Sequence, residues 1–292
     1  MRKIFLVPVF ILMFVSANAQ PSTTEIYLVN ISYKEGIPVF SVPINITNHE
    51  GYDNQPEFTP DSKQILYVSM PDTTQSDIFQ YTISDSSTVQ LTQTMESEYS
   101  PRFMPDRKSI TMVRVNQKKA QRLCLYDAGF TEAEELLQGL DSIAYYTWIN
   151  DSTIALACLH NGLELVLFEY YYGQFVVADK NIGRCLMKLP DSNTLVYTRK
   201  EGSNVNLYSF VPGAERAELF CNGLADIEDY AITPDGRILA GKDGKLYMSN
   251  LVTDNTWKEV ADFSKSCGSF YRMAVSPDGK RLALVSYKGK KP

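Results

Sequence analysis

Short apolar runs alternate with turn residues along almost the whole chain, and this pattern predicts β-strands rather than helices. Apolar or β-branched strands are expected at 65–68, 110–113, 154–159, 195–197, 238–240 and 282–285. A following strand is expected at 77–83, 121–126, 163–171, 205–211 and 245–250, and a weaker one at positions such as 88–94 and 257–261. With the strand that precedes each apolar run, this makes four strands per unit. The chain is therefore predicted to be all-β.

The turns between the first two strands of each unit recur at a nearly fixed interval. Pro-Asp dipeptides begin at Pro60, Pro105, Pro190, Pro234 and Pro277, and Asn150 begins a degenerate sixth copy. The steps between them are 45, 45, 40, 44 and 43 residues. Pro suits the first corner of a type I turn, and Asp can accept hydrogen bonds from the turn backbone. Several strands in a period of about 40–45 residues are typical of β-propeller blades.

The two ends of the chain each contain part of a blade. After Pro277 only one strand is expected, at 281–287, whereas two spare strands precede the first turn, at 25–32 and 39–46. The N-terminal strands would complete the C-terminal blade and close the ring without exposed edges. We therefore predict one domain over residues 20–292, a six-bladed β-propeller of four-stranded antiparallel blades.

The first residues are typical of a secretory signal peptide. A basic start with Arg2 and Lys3 precedes an apolar run at 4–15 and a small-residue site that ends at Ala19. An apolar run of about a dozen residues is too short to span a bilayer. We predict a signal peptide at 1–19, cleavage after Ala19, and a periplasmic or secreted protein with no integral membrane segment after cleavage.

Charge and cysteine content narrow the function further. The chain has 28 Lys and Arg residues against 34 Asp and Glu, a net charge of −6, which argues against nucleic-acid binding. The five cysteines are Cys124, Cys158, Cys185, Cys221 and Cys267, and they lack the spacing of a metal site. We expect small buried core residues, and a Cys185–Cys221 disulfide is the alternative.

Two stretches carry a resemblance to a known family. Residues 55–92, which contain EFTPDSKQILYV, and residues 99–127, which contain RFMPDRKSITMV, resemble the WD40-like propeller repeat of TolB-type proteins. The resemblance is specific in the first two and last two repeats and faint in the third and fourth. It implies a TolB-like six-bladed propeller that lacks the N-terminal α/β domain of TolB, so functions of that domain are not carried over. It also implies an interaction in the cell envelope.

The segments that lead into each first strand are rich in aromatic, acidic and arginine side chains. In a propeller these segments lie on one face, near the central channel. The candidate binding rim consists of Tyr52, Asp53, Glu98, Tyr99, Tyr145, Tyr146, Arg184, Asp229, Tyr230, Tyr271 and Arg272. Tyr and Arg are favoured at binding hot spots. Packing between blades is the alternative role for Tyr52, Tyr99, Tyr146 and Tyr230.

Signatures of catalysis are weak. His49 and His160 are the only histidines, no G-x-S-x-G motif is present, and we expect no catalytic residue, metal or other cofactor. The favoured function is an exported, non-catalytic scaffold that binds a protein or peptide of the cell envelope at the channel face. Acidic residues near the channel leave a glycosidase-like, carbohydrate-active enzyme as one alternative. An accessory propeller of a separate hydrolase is another. The acidic residues are Asp53, Glu57, Glu96, Glu98, Asp226, Glu228 and Asp229.

Overall fold

The protein is built from β-strands, as the alternating pattern predicts. The structure is a computed structural model that describes residues 23–71, 74–127, 129–130, 133–249 and 256–288. Across these residues there is no helix, and hence none of the length and hydropathy needed to cross a membrane. The predicted signal peptide at 1–19 lies outside the described residues.

The strands follow one another at short intervals along the described chain. The first part holds β1 (Thr24–Lys34), β2 (Ile37–Phe40), β3 (Ile44–Asn45), β4 (Tyr52–Phe58), β5 (Gln64–Met70), β6 (Asp77–Thr82), β7 (Ser87–Gln90), β8 (Ser97–Phe103), β9 (Ile110–Val115), β10 (Gln121–Tyr126) and β11 (Ala133–Glu135). The middle part holds β12 (Ile143–Trp148), β13 (Thr153–His160), β14 (Gly162–Glu169), β15 (Gln174–Lys180), β16 (Ile182–Lys188), β17 (Leu195–Glu201), β18 (Asn204–Phe210) and β19 (Glu218–Cys221). The last part holds β20 (Tyr230–Ile232), β21 (Ile238–Lys242), β22 (Lys245–Ser249), β23 (Trp257–Asp262), β24 (Phe270–Val275) and β25 (Arg281–Tyr287).

Most of these strands form four-stranded antiparallel sheets, which agrees with the predicted blade pattern. One sheet has the order β11-β10-β9-β8, and three others run in chain order as β12–β15, β16–β19 and β20–β23. A larger, nine-stranded sheet has the order β24-β25-β1-β4-β5-β6-β7, with β2 and β3 also paired to β1. Its two halves meet at a single parallel pair, Thr24 with Tyr52.

The Pro-Asp turns connect the first and second strands of their sheets, as predicted. In the first turn, Asp61 Oδ1 accepts hydrogen bonds from Thr59 Oγ1 at 2.7 Å and from the Lys63 backbone N–H at 3.1 Å. Ser62 takes the left-handed conformation with φ 62°. The Asp278 turn repeats the pattern, and there a glycine holds the left-handed position. The repeated dipeptide therefore forms its turn through contacts with adjacent residues, so the turn does not depend on the rest of the sheet.

Strands from the two ends of the chain pair with each other. β1 lies antiparallel to β25, from Thr24 opposite Tyr287 to Asn30 opposite Arg281. Ile26 is fully buried in this sheet. The second spare strand differs from the prediction of 39–46, because Pro43 lacks a backbone N–H and the segment divides into β2 and β3.

Hydrophobic clusters lie between neighbouring sheets and hold them together. Leu66 on β5 packs with Met112 on β9, and Leu156 on β13 belongs to the same cluster as Val113 on β9. Ile26 on β1 packs with Tyr67 on β5. Each sheet thus buries both faces, which explains the nearly continuous apolar runs in the second strands.

All five cysteines are buried and free, so the expectation of small core residues is confirmed and the alternative Cys185–Cys221 disulfide is not formed. Burial raises the pKa of the thiols of Cys185 and Cys221 to about 12. Neutral thiols in tight packing act as small apolar side chains.

Replacing Ile26 by Asp should strongly destabilise the protein, because the carboxylate would enter the interface between β1 and the adjacent strands. We expect the free energy of unfolding, measured by urea denaturation, to fall by about 3 kcal/mol or more. Ile37→Asp is the matched control, since Ile37 on β2 is 65% exposed, and it should change stability by about 0.5 kcal/mol or less. Equal effects of the two variants would contradict the packing described for β1.

Candidate functional site

A cavity of about 230 Å³ lies among β4, β8, β12, β16, β20 and β24, and we call it the channel cavity. The residue five positions before each of the five Pro-Asp turns and before the Asn150 copy lines it, namely Gln55, Ser100, Tyr145, Cys185, Asp229 and Arg272. Residues three positions before a turn line it as well, namely Glu57, Arg102, Thr147, Met187 and Ala274. The residue four positions before each turn contributes to the lining as well, so these strands border the cavity with consecutive residues rather than alternate ones only.

Asp229 joins two arginines at one end of the channel cavity. Arg184 Nε donates to Asp229 Oδ2 at 2.9 Å, and Arg184 Nη2 donates to the same oxygen. Arg272 Nε lies 3.4 Å from Asp229 Oδ1. Burial is the largest effect and lowers the pKa of each guanidinium, but Asp229 and the nearby tyrosines together outweigh it and raise both pKa values. Both arginines therefore stay fully charged in a largely buried position.

Residues from both ends of the chain complete this cluster. Arg272 Nη1 donates to Asn54 Oδ1 at 3.0 Å, and Asn54 Nδ2 donates to the Tyr271 hydroxyl. The Arg184 guanidinium lies 5.4 Å from the centre of the Tyr271 ring, and that of Arg272 lies 5.7 Å from the centre of the Tyr145 ring. These distances suit cation–π attraction. The network fixes the direction of both guanidinium groups.

A second cavity, of about 470 Å³, adjoins the channel cavity and is more apolar. It shares Gln55, Tyr145 and Arg184 with the channel cavity. Its remaining wall is formed by Tyr52, Tyr99, Val113, Val115, Gln121, Ala144, Leu159, Leu163 and Glu228. We call this second cavity the aromatic basin. Arg184 thus stands where an apolar surface meets a charged one.

The other charged residues of the channel cavity include an ion pair. Arg102 Nη1 lies 3.6 Å from Glu57 Oε2. Burial raises the pKa of the Glu57 carboxyl, and Arg102 opposes this effect. With Lys188, the lining contains four basic and two acidic side chains. The channel cavity therefore carries an excess of positive charge in a protein whose net charge is −6.

Two predicted rim residues, Asp53 and Glu98, lie in the interior and line neither cavity. Thr94 Oγ1 donates to Glu98 Oε1 at 2.6 Å, and the Tyr126 hydroxyl donates to the same oxygen at 3.1 Å. Burial raises the pKa of Glu98 to about 7 and that of Asp53 to about 6. His49 Nε2 lies 3.2 Å from Asp53 Oδ2. The structure thus gives these carboxyls partners within the protein rather than at the rim.

The four tyrosines for which packing between blades was the alternative role divide into two groups. Tyr146 and Tyr230 are almost fully buried, and their rings belong to hydrophobic clusters between sheets, although both residues contribute to the wall of the channel cavity. Tyr52 and Tyr99 are partly exposed and line the aromatic basin. Tyr271 stacks on Tyr287 with ring centres 4.7 Å apart.

Sequence reasoning did not select the channel residues Gln55, Arg102 and Lys188, nor Asn54, which bonds Arg272. The repeat itself carried the signal for Gln55 and Arg102, because they stand five and three positions before a turn, in the same register as Arg272 and Ala274. Asn54 carried no such signal, since its partner lies on a strand from the other end of the chain.

No cluster of three or more His, Cys, Asp or Glu side chains suited to a metal ion is found within the described ranges. His160 Nδ1 lies 3.2 Å from Glu164 Oε2, and His49 contacts Asp53. Among the residues that the structure describes, one carboxylate thus lies within ion-pair distance of each histidine.

Solved structures with the same fold include two TolB proteins. No protein-family model matches the sequence, and no curated protein sequence is similar to it. Putative TolB from Agrobacterium tumefaciens is 11% identical with a TM-score of 0.69, over 92% of this chain and 100% of that one. TolB from Acinetobacter baumannii is 14% identical with a TM-score of 0.59, over 92% of this chain and 65% of that one. This chain has a TolB-like β-propeller fold.

The same fold also occurs in enzymes. An oligogalacturonate lyase in complex with manganese is 16% identical with a TM-score of 0.57, over 84% of this chain and 80% of that one. At these identities the likeness concerns the fold alone. The fold by itself therefore does not specify a function.

Replacing Glu98 by Gln should change how stability depends on pH. The folded-state pKa of about 7 lies above the ordinary value of 4.5, so the folded protein binds the proton more strongly than the unfolded chain. The stability from this group is full below pH 4.5 and is lost as the pH rises through 7. We therefore expect the free energy of unfolding of Glu98→Gln, relative to wild type, to increase by about 1–3 kcal/mol from pH 4.5 to pH 8.

Urea denaturation at a series of pH values measures this difference. Glu215→Gln is the control, because it makes the same change at an exposed position between β18 and β19. Parallel pH profiles for wild type and Glu98→Gln would contradict the effect assigned to burial.

Proposed function

We propose that this protein is an exported, non-catalytic scaffold that binds a segment of another protein, or a peptide, at the aromatic basin and the channel cavity. The observation that carries the proposal is the continuity of these two cavities through Gln55, Tyr145 and Arg184. Apolar and aromatic walls on one side and fixed charges on the other match the mixed chemistry of a polypeptide. The likeness to TolB structures agrees with this role.

The dimensions of the site also suit a short segment. Cavities of about 300–1,000 Å³ are typical of ligand sites, and the aromatic basin of about 470 Å³ lies within that range. Tyr52, Tyr99 and Tyr145 offer broad rings with few rotatable bonds, so binding costs little conformational entropy. Because residues on strands form most of the walls of both cavities, the site is held by the sheets rather than by long loops.

A closed ring of six blades is part of the proposal, because it would make the scaffold stiff. The halves of the nine-stranded sheet, β24-β25-β1 with β2 and β3, and β4-β5-β6-β7, would count as two blades beside the four smaller sheets. Contacts between successive first strands support this: β4 touches β8 and β24, and β16 touches β12 and β20. In such a ring β1 would complete the C-terminal blade.

Export is also part of the proposal, and it is based on the signal-peptide features of residues 1–19. We expect the protein recovered from the periplasm or medium to begin at Gln20, because Ala17 and Ala19 provide small side chains before the cleavage site. Mass spectrometry of the intact protein measures this. Ala19→Arg should leave the leader attached, and recovery of the uncleaved wild-type protein from the cytoplasm would contradict export.

A carbohydrate-active enzyme is the alternative function. Its support is the presence of two carboxylates, Glu57 and Asp229, in the channel cavity, and the likeness to a lyase structure. Both carboxylates form ion pairs with arginines, Glu57 with Arg102 and Asp229 with Arg184, so each is engaged within the protein. A measured turnover of polysaccharide fragments that is lost in Glu57→Gln would replace the scaffold proposal with this one.

Peptide selection tests the binding site directly. A random peptide library is selected against the immobilised mature protein, and retained peptides are measured by fluorescence anisotropy. We expect Tyr99→Ala and Tyr145→Ala to weaken binding about tenfold or more, because each removes part of the aromatic basin. The control is Tyr172→Ala, which removes a tyrosine that is 78% exposed in the turn between β14 and β15.

The melting temperature of each variant, followed by circular dichroism, separates loss of binding from loss of fold. Retained peptides that bind the two basin variants as tightly as wild type would place binding elsewhere and overturn the proposed site. The same conclusion follows if Tyr172→Ala weakens binding as much as Tyr99→Ala.

A further inference from the structure

We propose that the bound segment carries a carboxylate beside an apolar or aromatic side chain, and that this carboxylate binds to Arg184 and Arg272. This inference rests on the proposed function, and it names the ligand chemistry of the same site. The apolar side chain would occupy the aromatic basin, and the carboxylate would enter the channel cavity.

The two arginines have hydrogen-bond donors that the protein does not use. Arg184 bonds Asp229 through Nε and Nη2, and Arg272 bonds Asp229 and Asn54 through Nε and Nη1. Within the part of the chain that the structure describes, Nη1 of Arg184 and Nη2 of Arg272 bond no residue. The side chain of Arg184 is 34% exposed and that of Arg272 is 14% exposed. A ligand oxygen can therefore reach donors that are already oriented.

The charge of the cluster favours an anionic ligand. Two guanidinium groups share the single carboxylate of Asp229, so one positive charge is left without a partner there. The rest of the channel cavity adds Arg102 and Lys188 against Glu57. Planar guanidinium groups bind carboxylates with short, charge-assisted hydrogen bonds, which are stronger in a partly buried site than in water.

The apolar wall of the aromatic basin indicates what chemical class of anion would bind. Val113, Val115, Leu159 and Leu163 line it, and none of them can bond a hydroxyl-rich sugar or a free phosphate. Arg184 lies in the wall of both cavities, so a ligand that fills both has its carboxylate within a few ångströms of an apolar group. Acidic residues next to Leu, Phe or Tyr in a polypeptide have this arrangement, and so does a C-terminal apolar residue.

Defined tetrapeptides test the inference by fluorescence anisotropy at low and high salt. The probes are dye-labelled Gly-Phe-Asp-Gly and Gly-Leu-Glu-Gly with amidated C-termini, their Asn and Gln counterparts, and Gly-Gly-Ser-Phe with a free or an amidated C-terminus. We expect a carboxylate-bearing probe to bind about tenfold or more tightly than its amide counterpart, as for a charge-assisted hydrogen bond. The first pairs report a side-chain carboxylate, and the last pair reports a terminal one.

Arg184→Gln and Arg272→Gln should remove this tenfold preference while binding of the amide probes stays the same. Arg216→Gln is the control, because Arg216 is exposed outside both cavities. Asp229→Asn should raise the affinity for carboxylate probes, since it releases both guanidinium groups from their internal partner. A role of the arginines in structure alone predicts no such gain. Melting temperatures again check the fold of each variant.

The outcomes separate this inference from the proposed function. Equal binding of acid and amide probes, with loss of both in Tyr99→Ala, would overturn the carboxylate inference and leave the peptide site in place. Binding of trigalacturonate in preference to every peptide, with the same dependence on Arg272, would overturn both and favour a carbohydrate ligand. Failure of every probe to bind at millimolar concentration would also overturn the carboxylate inference.

Discussion

The antiparallel pairing of β1 with β25 is the contact on which the site depends. It brings the two ends of the chain together, so that β24 and β4 become neighbours although one is among the last strands and the other among the first. Arg272 on β24 then bonds Asn54 on β4 across 218 positions of sequence. Without this pairing the channel cavity would lose a wall, and the guanidinium of Arg272 would lose the residue that orients it.

Asp229 has two roles that compete with each other. It links β16 and β24 through Arg184 and Arg272, which contributes to the alignment of three neighbouring sheets. Its negative charge also reduces the attraction of these arginines for any anion in the channel cavity. Stability of the folded protein and affinity for an anionic ligand therefore depend on the same carboxylate in opposite ways.

The repeat predicts much of this protein because its turns are local. Asp61 and Thr59 form their turn from adjacent residues, so the strands around it could be placed closely, and β10 and β25 have the predicted bounds. The interior position of Glu98 could not be predicted in this way. Its partners Thr94 and Tyr126 are brought to it by the packing of the folded chain. The sequence around Glu98 therefore does not distinguish it from a glutamate exposed to solvent.

The buried free thiols can report where the folded structure opens. Cys124 lies on β10, Cys158 on β13, and Cys185 and Cys221 on the two outer strands of one sheet. Packing rather than pairing shields these sulfurs. Cys185 lines the channel cavity, whereas an alkylating reagent can reach Cys124, Cys158 and Cys221 only when the surrounding strands separate. The order in which these thiols are alkylated therefore reports which sheet separates from its neighbours first.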